Sequence, residues 1–407
     1  METIKALETD VCIVGGGPAG AMLAYDLAKR GCKVLVIERS TSYEREFRGE
    51  WISPDTVQIF KQIGVFEAVQ AHGYIESKKV EFHENGNLLL IVDFSNFDYE
   101  CKYPIDFPQP VLLEALIKRA SQFENFSLIK GASVQDLIME NDQVCGVIAK
   151  SSDTRYEIRS RLVVAADGRY GRVRELSGLA FDKRPIGRDI VWFKVEAPAE
   201  WGTAAKLFMR KDNHLVILPT FPNMLRVGFN IPSGQYKEFR KQPISALHER
   251  VADLAPDLAD AVKTSVASWA DTSLLDIFST YVPTWYKKGV VLMGDAAHTL
   301  TPILGQGVNH AIQDAMSLAP LIEEGLAVSR DQIFPLHLLK KFQSQREGDV
   351  SFVRGLQLRQ EFIFKFSGRY STAARRWMYR FINARLWVKD LIWGRVYYRR
   401  QRSLAPQ

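Results

Sequence analysis

Three widely separated turns combine glycine with an acid, and each follows a run of β-branched and apolar residues. The first lies in TDVCIVGGGPAGAMLAYDLAKRGCKVLVIER, residues 9–39. Gly15, Gly17 and Gly20 stand in the spacing G-x-G-x-x-G, with Pro18 and Ala19 between the last two. They sit between a strand (Asp10 to Val14) and a helix reaching about Arg30; a second strand, Lys33 to Ile37, ends in Glu38 and Arg39. This is the context a dinucleotide fingerprint requires. Gly15 permits the tight turn, Gly17 lets backbone approach a pyrophosphate, and Gly20 lets helix and strand pack closely. The amides opening the helix face a phosphate, and the helix dipole favours its charge. Glu38 closes the strand where a carboxylate can accept hydrogen bonds from ribose hydroxyls.

The second turn is LVVAADGRYGRVRE, in which an apolar strand delivers Asp167-Gly168, with Arg172 and Arg174 downstream. The third is VVLMGDAAHTLTPILGQGVNHAIQDA. Here a strand delivers Gly294-Asp295, and a loop follows with Pro302, Gly305, Gln306 and Gly307. A helix then opens with Val308 and Asn309 and continues past Asp314. Ligands of open α/β sheets bind beyond the carboxyl ends of the strands. Three such ends therefore aim glycine-rich turns at one crevice. Asp295 suits a hydroxyl of a ribityl chain, and the amides of residues 305–309 suit an electron-rich carbonyl edge of a reduced ring.

These motifs, in this order, resemble the group A flavoprotein monooxygenases, the family of para-hydroxybenzoate hydroxylase. The resemblance runs over about residues 9 to 320. It implies that the glycine turn and Glu38 hold the ADP half of FAD. It places Arg48 where the family has a flavin-contacting arginine, and Gln109 at a position that touches FAD. By the same likeness Val134 joins the FAD contacts, Asp167 serves both FAD and the nicotinamide, and Asp295 with Pro302 to Asn309 forms the riboflavin segment. One departure stands out: the family runs D-G-x-x-S-x-x-R, and this chain has Gly171 for the serine while keeping Arg174.

The implied chemistry is reduction of FAD by NADH or NADPH, formation of a C(4a)-hydroperoxide from molecular oxygen, and transfer of one oxygen atom to the substrate. The substrate expected by this analogy is an aromatic or other lipophilic small molecule, hydroxylated or epoxidised. That chemistry belongs largely to the cofactor. Arg48 is therefore the leading catalytic candidate, as a residue shaping the active site; Glu50 and His298 are weaker ones. A halogenase would carry G-x-W-x-W-x-I-P, and AEWGTAA does not match it. Lys78 and Lys79 then read as surface charges before a strand. A prenyl reductase is the other flavoenzyme alternative, and a flavin-binding regulatory protein without turnover is the non-enzyme one.

The elements that must position these turns can be read along the chain. Its 407 residues are too many for one compact core, and 46% hydrophobic with 25% charged residues is a globular composition. The expected fold is α/β: a Rossmann-like FAD-binding domain, an interleaved antiparallel β-sheet substrate domain, and a C-terminal helical segment. FAD-binding pieces are expected over 1–77, 102–182 and 281–340. Substrate-domain pieces are expected over 78–101 and 183–280, and a basic helical region over 341–407. Asn85-Gly86 marks a hairpin. Strands at 126–129, 132–137, 143–150 and 156–159 suggest a small antiparallel meander, with 162–166 a separate strand. Trp192, Phe193, Phe208, Phe221 and Phe229 are candidates to line an apolar cavity at alternate positions.

Cys12 and Cys32 fall in or beside buried strands as packed thiols of a reducing compartment. The seven histidines are scattered, and no metal site is expected. There is no signal peptide or membrane-length apolar run, which points to the cytoplasm. Residues 359–407 hold 12 Lys/Arg against 2 Asp/Glu, net +10, while the remainder nets −4. The tail mixes arginines with Trp377, Phe381, Trp387, Trp393 and Tyr397. Such a helix packs on the body with its arginines in water, or lies on an anionic membrane surface. No recognition module for nucleic acid accompanies the charge.

Overall fold

The computed structural model describes residues 3–43, 50–328 and 334–404. Arg48 lies outside them. The larger sheet has a parallel centre in the order Phe126–Lys130, Val34–Glu38, Thr3–Val14, Thr154–Ala165 and Val290–Leu292. The short strand Tyr286–Lys287 closes its edge antiparallel. Residues 11–14, 34–37 and 162–165 are all buried. Strands covered on both faces read as continuous apolar runs, and that favours parallel pairing. Helix Pro18–Lys29 packs between helices Gln109–Ala120 and Gly307–Val328.

Two expectations need correction. The run 126–129 does not belong to an antiparallel meander; it pairs in parallel with Val34–Glu38 at the edge of the large sheet. The runs 156–159 and 162–166 are one strand, Thr154–Ala165. Its first half pairs with an equally extended Thr3–Thr9, beyond the apolar core, so its polar residues imitate a break. Only Ser133–Glu140, Gln143–Lys150 and this strand form the antiparallel ladder.

The second sheet runs Ser273–Tyr281, Asp182–Glu196, Met224–Pro232, Asn213–Thr220, Ala205–Arg210, Lys79–Glu84 and Asn87–Asp93. The pairing of Ala205–Arg210 with Lys79–Glu84 is parallel; the others are antiparallel. Side chains alternate between the faces. Val191, Phe193, Val195, Val227 and Phe229 pack with residues of helices Ser245–Leu254 and Ala259–Ser265. Ile190, Trp192, Val216, Leu218 and Leu207 face a cavity. Of the five aromatics considered, only Trp192 lines it. Phe193 and Phe229 sit in the opposite core, Phe208 stacks on His83, and Phe221 packs on His72.

The tail folds back over the body. Helix Leu336–Phe364 lies on Gly307–Val328, and helix Arg369–Asn383 lies on strand Asn87–Asp93. Arg375 is fully buried, donating to the Glu84 carboxylate and, at 2.8 Å, to the Lys211 carbonyl. Asp55 accepts from the Arg400 and Gln401 N–H groups at 2.7 and 3.2 Å. Among the described residues, no helix is long and apolar enough to cross a membrane.

Candidate active site

The glycine turn is built for close approach. Gly15 has φ +106°, and its N–H donates to the Ile37 carbonyl at 2.8 Å. A Cβ there would lie 2.4 Å from the Ala166 carbonyl oxygen, and one at Gly20 would lie 1.9 Å from the Gly15 carbonyl oxygen. Both distances are far inside contact, so only glycine permits these strand ends and this helix to meet. Glu38 is buried; its Oε2 accepts from Gly16 N–H at 2.6 Å and its Oε1 from Ser40 N–H at 2.9 Å. A carboxylate oxygen has two lone pairs and accepts more than one hydrogen bond, the chemistry a ribose hydroxyl needs. Arg39 is exposed on the following bend. Val134 is buried on Ser133–Glu140, two residues beyond Ala132, whose N–H donates to the Glu38 carbonyl at 3.2 Å.

At the second turn, Asp167 Oδ2 accepts from Val173 N–H at 2.9 Å, while its buried Oδ1 has no partner among the described residues. Burial pushes this carboxyl up to about 6. Gly171 is explained by the same atom: a Cβ there would fall 2.6 Å from Asp167 Oδ1. Arg174 is buried and donates to the Ala296 and Arg169 carbonyls, tying the second turn to the third.

At the third turn, Gly294 adopts φ +58°. Asp295 is partly exposed, 3.6 Å from Arg169. The loop 302–306 carries Leu304 at φ +65° and Gly305 at φ +60°, and a Cβ on Gly305 would be 2.7 Å from the Trp51 ring. Asn309 is fully buried. It accepts from Ser53 N–H at 2.8 Å and donates to the Gly305 and Trp51 carbonyls at 2.8 and 3.2 Å. Its side chain thus pins the loop to strand Trp51–Ile52, which leaves the helix-opening amides to face a ligand. His298 also positions: its Nε2 meets Asp314 Oδ2 at 2.7 Å, beneath Gly294, whose N–H donates to the same oxygen at 2.8 Å. Arg346 Nε donates to Asp314 Oδ1 at 2.7 Å, and its Nη2 donates to His310 Nδ1 at 2.9 Å.

These turns open on one cavity of about 690 Å³. Gly17, Pro18, Gln109, Gly168, Asp295 and the 302–308 loop line one part of it. The inner face of the second sheet lines the rest, with helix Leu336–Phe364 and the tail residues Tyr379, Trp393 and Tyr397. The residues fit FAD: a cradle closed to any Cβ at Gly15 and Gly20, an acid at the end of Val34–Glu38, an unpartnered Asp167 oxygen, and a helix start turned to the cavity.

Two charged clusters at the wall were not legible in the sequence, where Glu50 alone stood out as a weaker candidate, because isolated charges in apolar strands have no motif. One joins Glu50, Arg226, Asp106 and Thr220. The other joins Arg188, Glu361 and His214: Arg188 donates to Glu361, and to His214 Nε2 at 2.6 Å. Burial first, then the nearby Arg188, push His214 well below the usual histidine range, so it stays neutral. A charge standing alternately with buried apolar neighbours, as at Arg226 between Leu225 and Val227, was the available signal.

Comparison with known proteins agrees with this geometry. Residues 8–333 match the family described as FAD binding domain. The chain is 32% identical to 6-methylpretetramide 4-monooxygenase of Streptomyces rimosus, over 90% of this chain and 87% of that protein. Among solved structures, p-nitrophenol 4-monooxygenase PnpA of Pseudomonas putida aligns with TM-score 0.82 at 20% identity, over 95% of this chain and 97% of that one. PqsL of P. aeruginosa, solved with 2-aminobenzoylacetate, aligns with TM-score 0.79 at 21% identity, over 90% and 99%. The chain belongs to the FAD-binding-domain family of group A aromatic monooxygenases, and it is an FAD-dependent oxidoreductase of that kind.

Proposed function

We propose that the enzyme hydroxylates an elongated aromatic substrate, of the class for which the S. rimosus relative is named, in the cavity between the two sheets. The carrying observation is the continuity of that cavity from Gly17 and Asp295 to Phe82 and Trp192. Bound FAD, reduced by NADH or NADPH, supplies the electrons that activate molecular oxygen. Gly15 to Gly20, Glu38, Gln109, Asp167, Asp295 and residues 302–309 are the groups we assign to holding it. Arg48 keeps its assignment as the residue shaping the flavin edge.

The second sheet positions the substrate. Ile190, Trp192, Leu207 and Val216 offer an apolar slot, with Arg226 at one end and Arg188 at the other. Lys194, opposite Arg226, stands six residues beyond Arg188 on one strand, ~20 Å of extended chain. That length suits several fused rings with polar substituents at both ends. Tail residues Tyr379, Trp393 and Tyr397 close the wall and exclude water from the reacting centre. The purified protein is expected to be yellow. A screen of multi-ring phenols is expected to find compounds that accelerate NADH or NADPH oxidation and acquire oxygen from labelled dioxygen. A colourless protein that retains no FAD defeats this reading.

The tail supports a second, separate contact with an anionic membrane surface. Trp377, Phe381, Trp387 and Leu391 are exposed among arginines. Flotation with anionic liposomes, before and after Trp377→Ser with Trp387→Ser, tests it; equal flotation rejects it.

A further inference from the structure

The cavity wall beside Trp51 carries two acids to which no part of the flavin or the slot gives a task. Glu50 lines the cavity, although only 4% exposed. Arg226 Nη1 donates to Glu50 Oε2 at 3.0 Å, and Lys194 Nζ lies 3.7 Å from Oε1. Behind it, Thr220 Oγ1 stands 3.4 Å from Glu50 Oε2 and 2.9 Å from Asp106 Oδ1. Asp106 is fully buried on strand Ile105–Asp106, and its Oδ2 has no partner among the described residues. Among the described residues, Arg226, Glu50, Thr220 and Lys194 are polar groups that act on it. A hydroxyl has one proton and two lone pairs. Thr220 therefore cannot donate to both acids at once; it donates to one and accepts from the other when that one is protonated.

We infer that Glu50, Thr220 and Asp106 form a proton relay that takes the hydroxyl proton of a phenolic substrate in the cavity. This rests on the hydroxylase reading above. The substrate O–H bond breaks, its electron pair stays on the phenolate oxygen, and the proton goes to a Glu50 carboxylate oxygen. Glu50 then passes a proton to Thr220 Oγ1 as Thr220 passes its own to Asp106. Nothing is oxidised or reduced, and the new phenolate faces Arg226. Its ring is richer in electrons and reacts more readily with an electrophilic oxygen. Burial raises the Asp106 carboxyl to about 7, with Glu50 adding to the rise and Arg226 opposing it. Asp106 is thus filled on the acid side of neutrality and an open acceptor on the alkaline side.

The test is an infrared difference titration of the FAD-loaded enzyme. A carbonyl band of a protonated carboxylic acid is expected to vanish with a midpoint near 7 and to be missing from Asp106→Asn. Glu50→Gln moves the midpoint to lower pH, because a neighbouring negative charge is gone. Thr220→Val keeps the band and shifts its frequency, because a hydrogen bond is lost. A band that is absent, or that ignores all three substitutions, overturns the relay. With a phenol from the screen, wild-type kcat falls on the acid side at unchanged KM. Thr220→Val removes that limb and lowers kcat roughly a hundredfold, and Thr220→Ser restores both. A Thr220→Val enzyme with the wild-type pH profile also overturns it. Loss of FAD binding would sink the functional reading; the infrared titration judges the relay separately.

Discussion

At Gly171 the chain omits the serine that its family resemblance leads one to expect, and the reason is steric. Asp167 Oδ1 occupies the space a Cβ would need, at 2.6 Å. Restoring the serine therefore does not restore a function; it crowds the second turn. Gly171→Ser is expected to destabilise by about 1–3 kcal/mol and to weaken FAD retention. Thermal unfolding and the flavin-to-protein absorbance ratio check this, and a variant as stable and as yellow as the parent refutes it. The same logic makes Gly15 and Gly20 irreplaceable, since each would drive a Cβ into backbone oxygen.

At the scale of elements, the third turn is held from below. Asp314, on helix Gly307–Val328, binds His298 of the loop, Arg346 of the long helix and the Gly294 N–H. Burial pushes its carboxyl up, but His298 and Arg346 outweigh that and hold it well below the usual carboxylate range. A depressed carboxylate pKa contributes stability that is present above the unfolded value, near 4, and lost as pH falls toward the folded one. Asp314→Asn takes from buried Arg346 its 2.7 Å carboxylate partner and leaves it Asp349 at 3.3 Å, and is expected to cost about 3 kcal/mol at neutral pH. That cost shrinks as pH drops below about 4. Parallel melting curves of parent and variant across pH measure the gap; a constant gap contradicts the assignment.

For the whole molecule, the tail is part of the cavity. Tyr397 donates to the Leu304 carbonyl at 2.8 Å, and Gln401 exchanges hydrogen bonds with the Cys101 backbone at 2.9 and 3.1 Å. Deleting residues 384–407 removes Val388, Ile392, Trp393 and Tyr397 from the wall. The expected result is a protein that still binds FAD yet releases more hydrogen peroxide per NADH or NADPH consumed, because water reaches the reacting centre. Trp387→Ser, at a position 63% exposed, is expected to change stability by no more than ~0.5 kcal/mol and to leave coupling alone. Peroxide yield equal in the truncated and full chains rejects the role of the tail as a wall.

What lay open in the sequence was whatever depends on local backbone geometry. The G-x-G-x-x-G turn, the Asp-Gly and Gly-Asp strand ends and the hairpin at Asn85-Gly86 are written in neighbouring residues, because only certain residues adopt those conformations and follow buried strands. Three strand ends with such turns also implied one crevice, and Gly17, Gly168 and Asp295 do share it. The rest needed the tertiary structure. Nothing near Glu50 announces Arg226, 176 residues away, nor does Arg188 announce Glu361. The tail aromatics divide between solvent and cavity only once helix Arg369–Asn383 has an orientation. Such contacts arise from how sheets and helices stack, and a charged side chain in an apolar strand takes its meaning from whatever the other sheet, or the tail, brings opposite it.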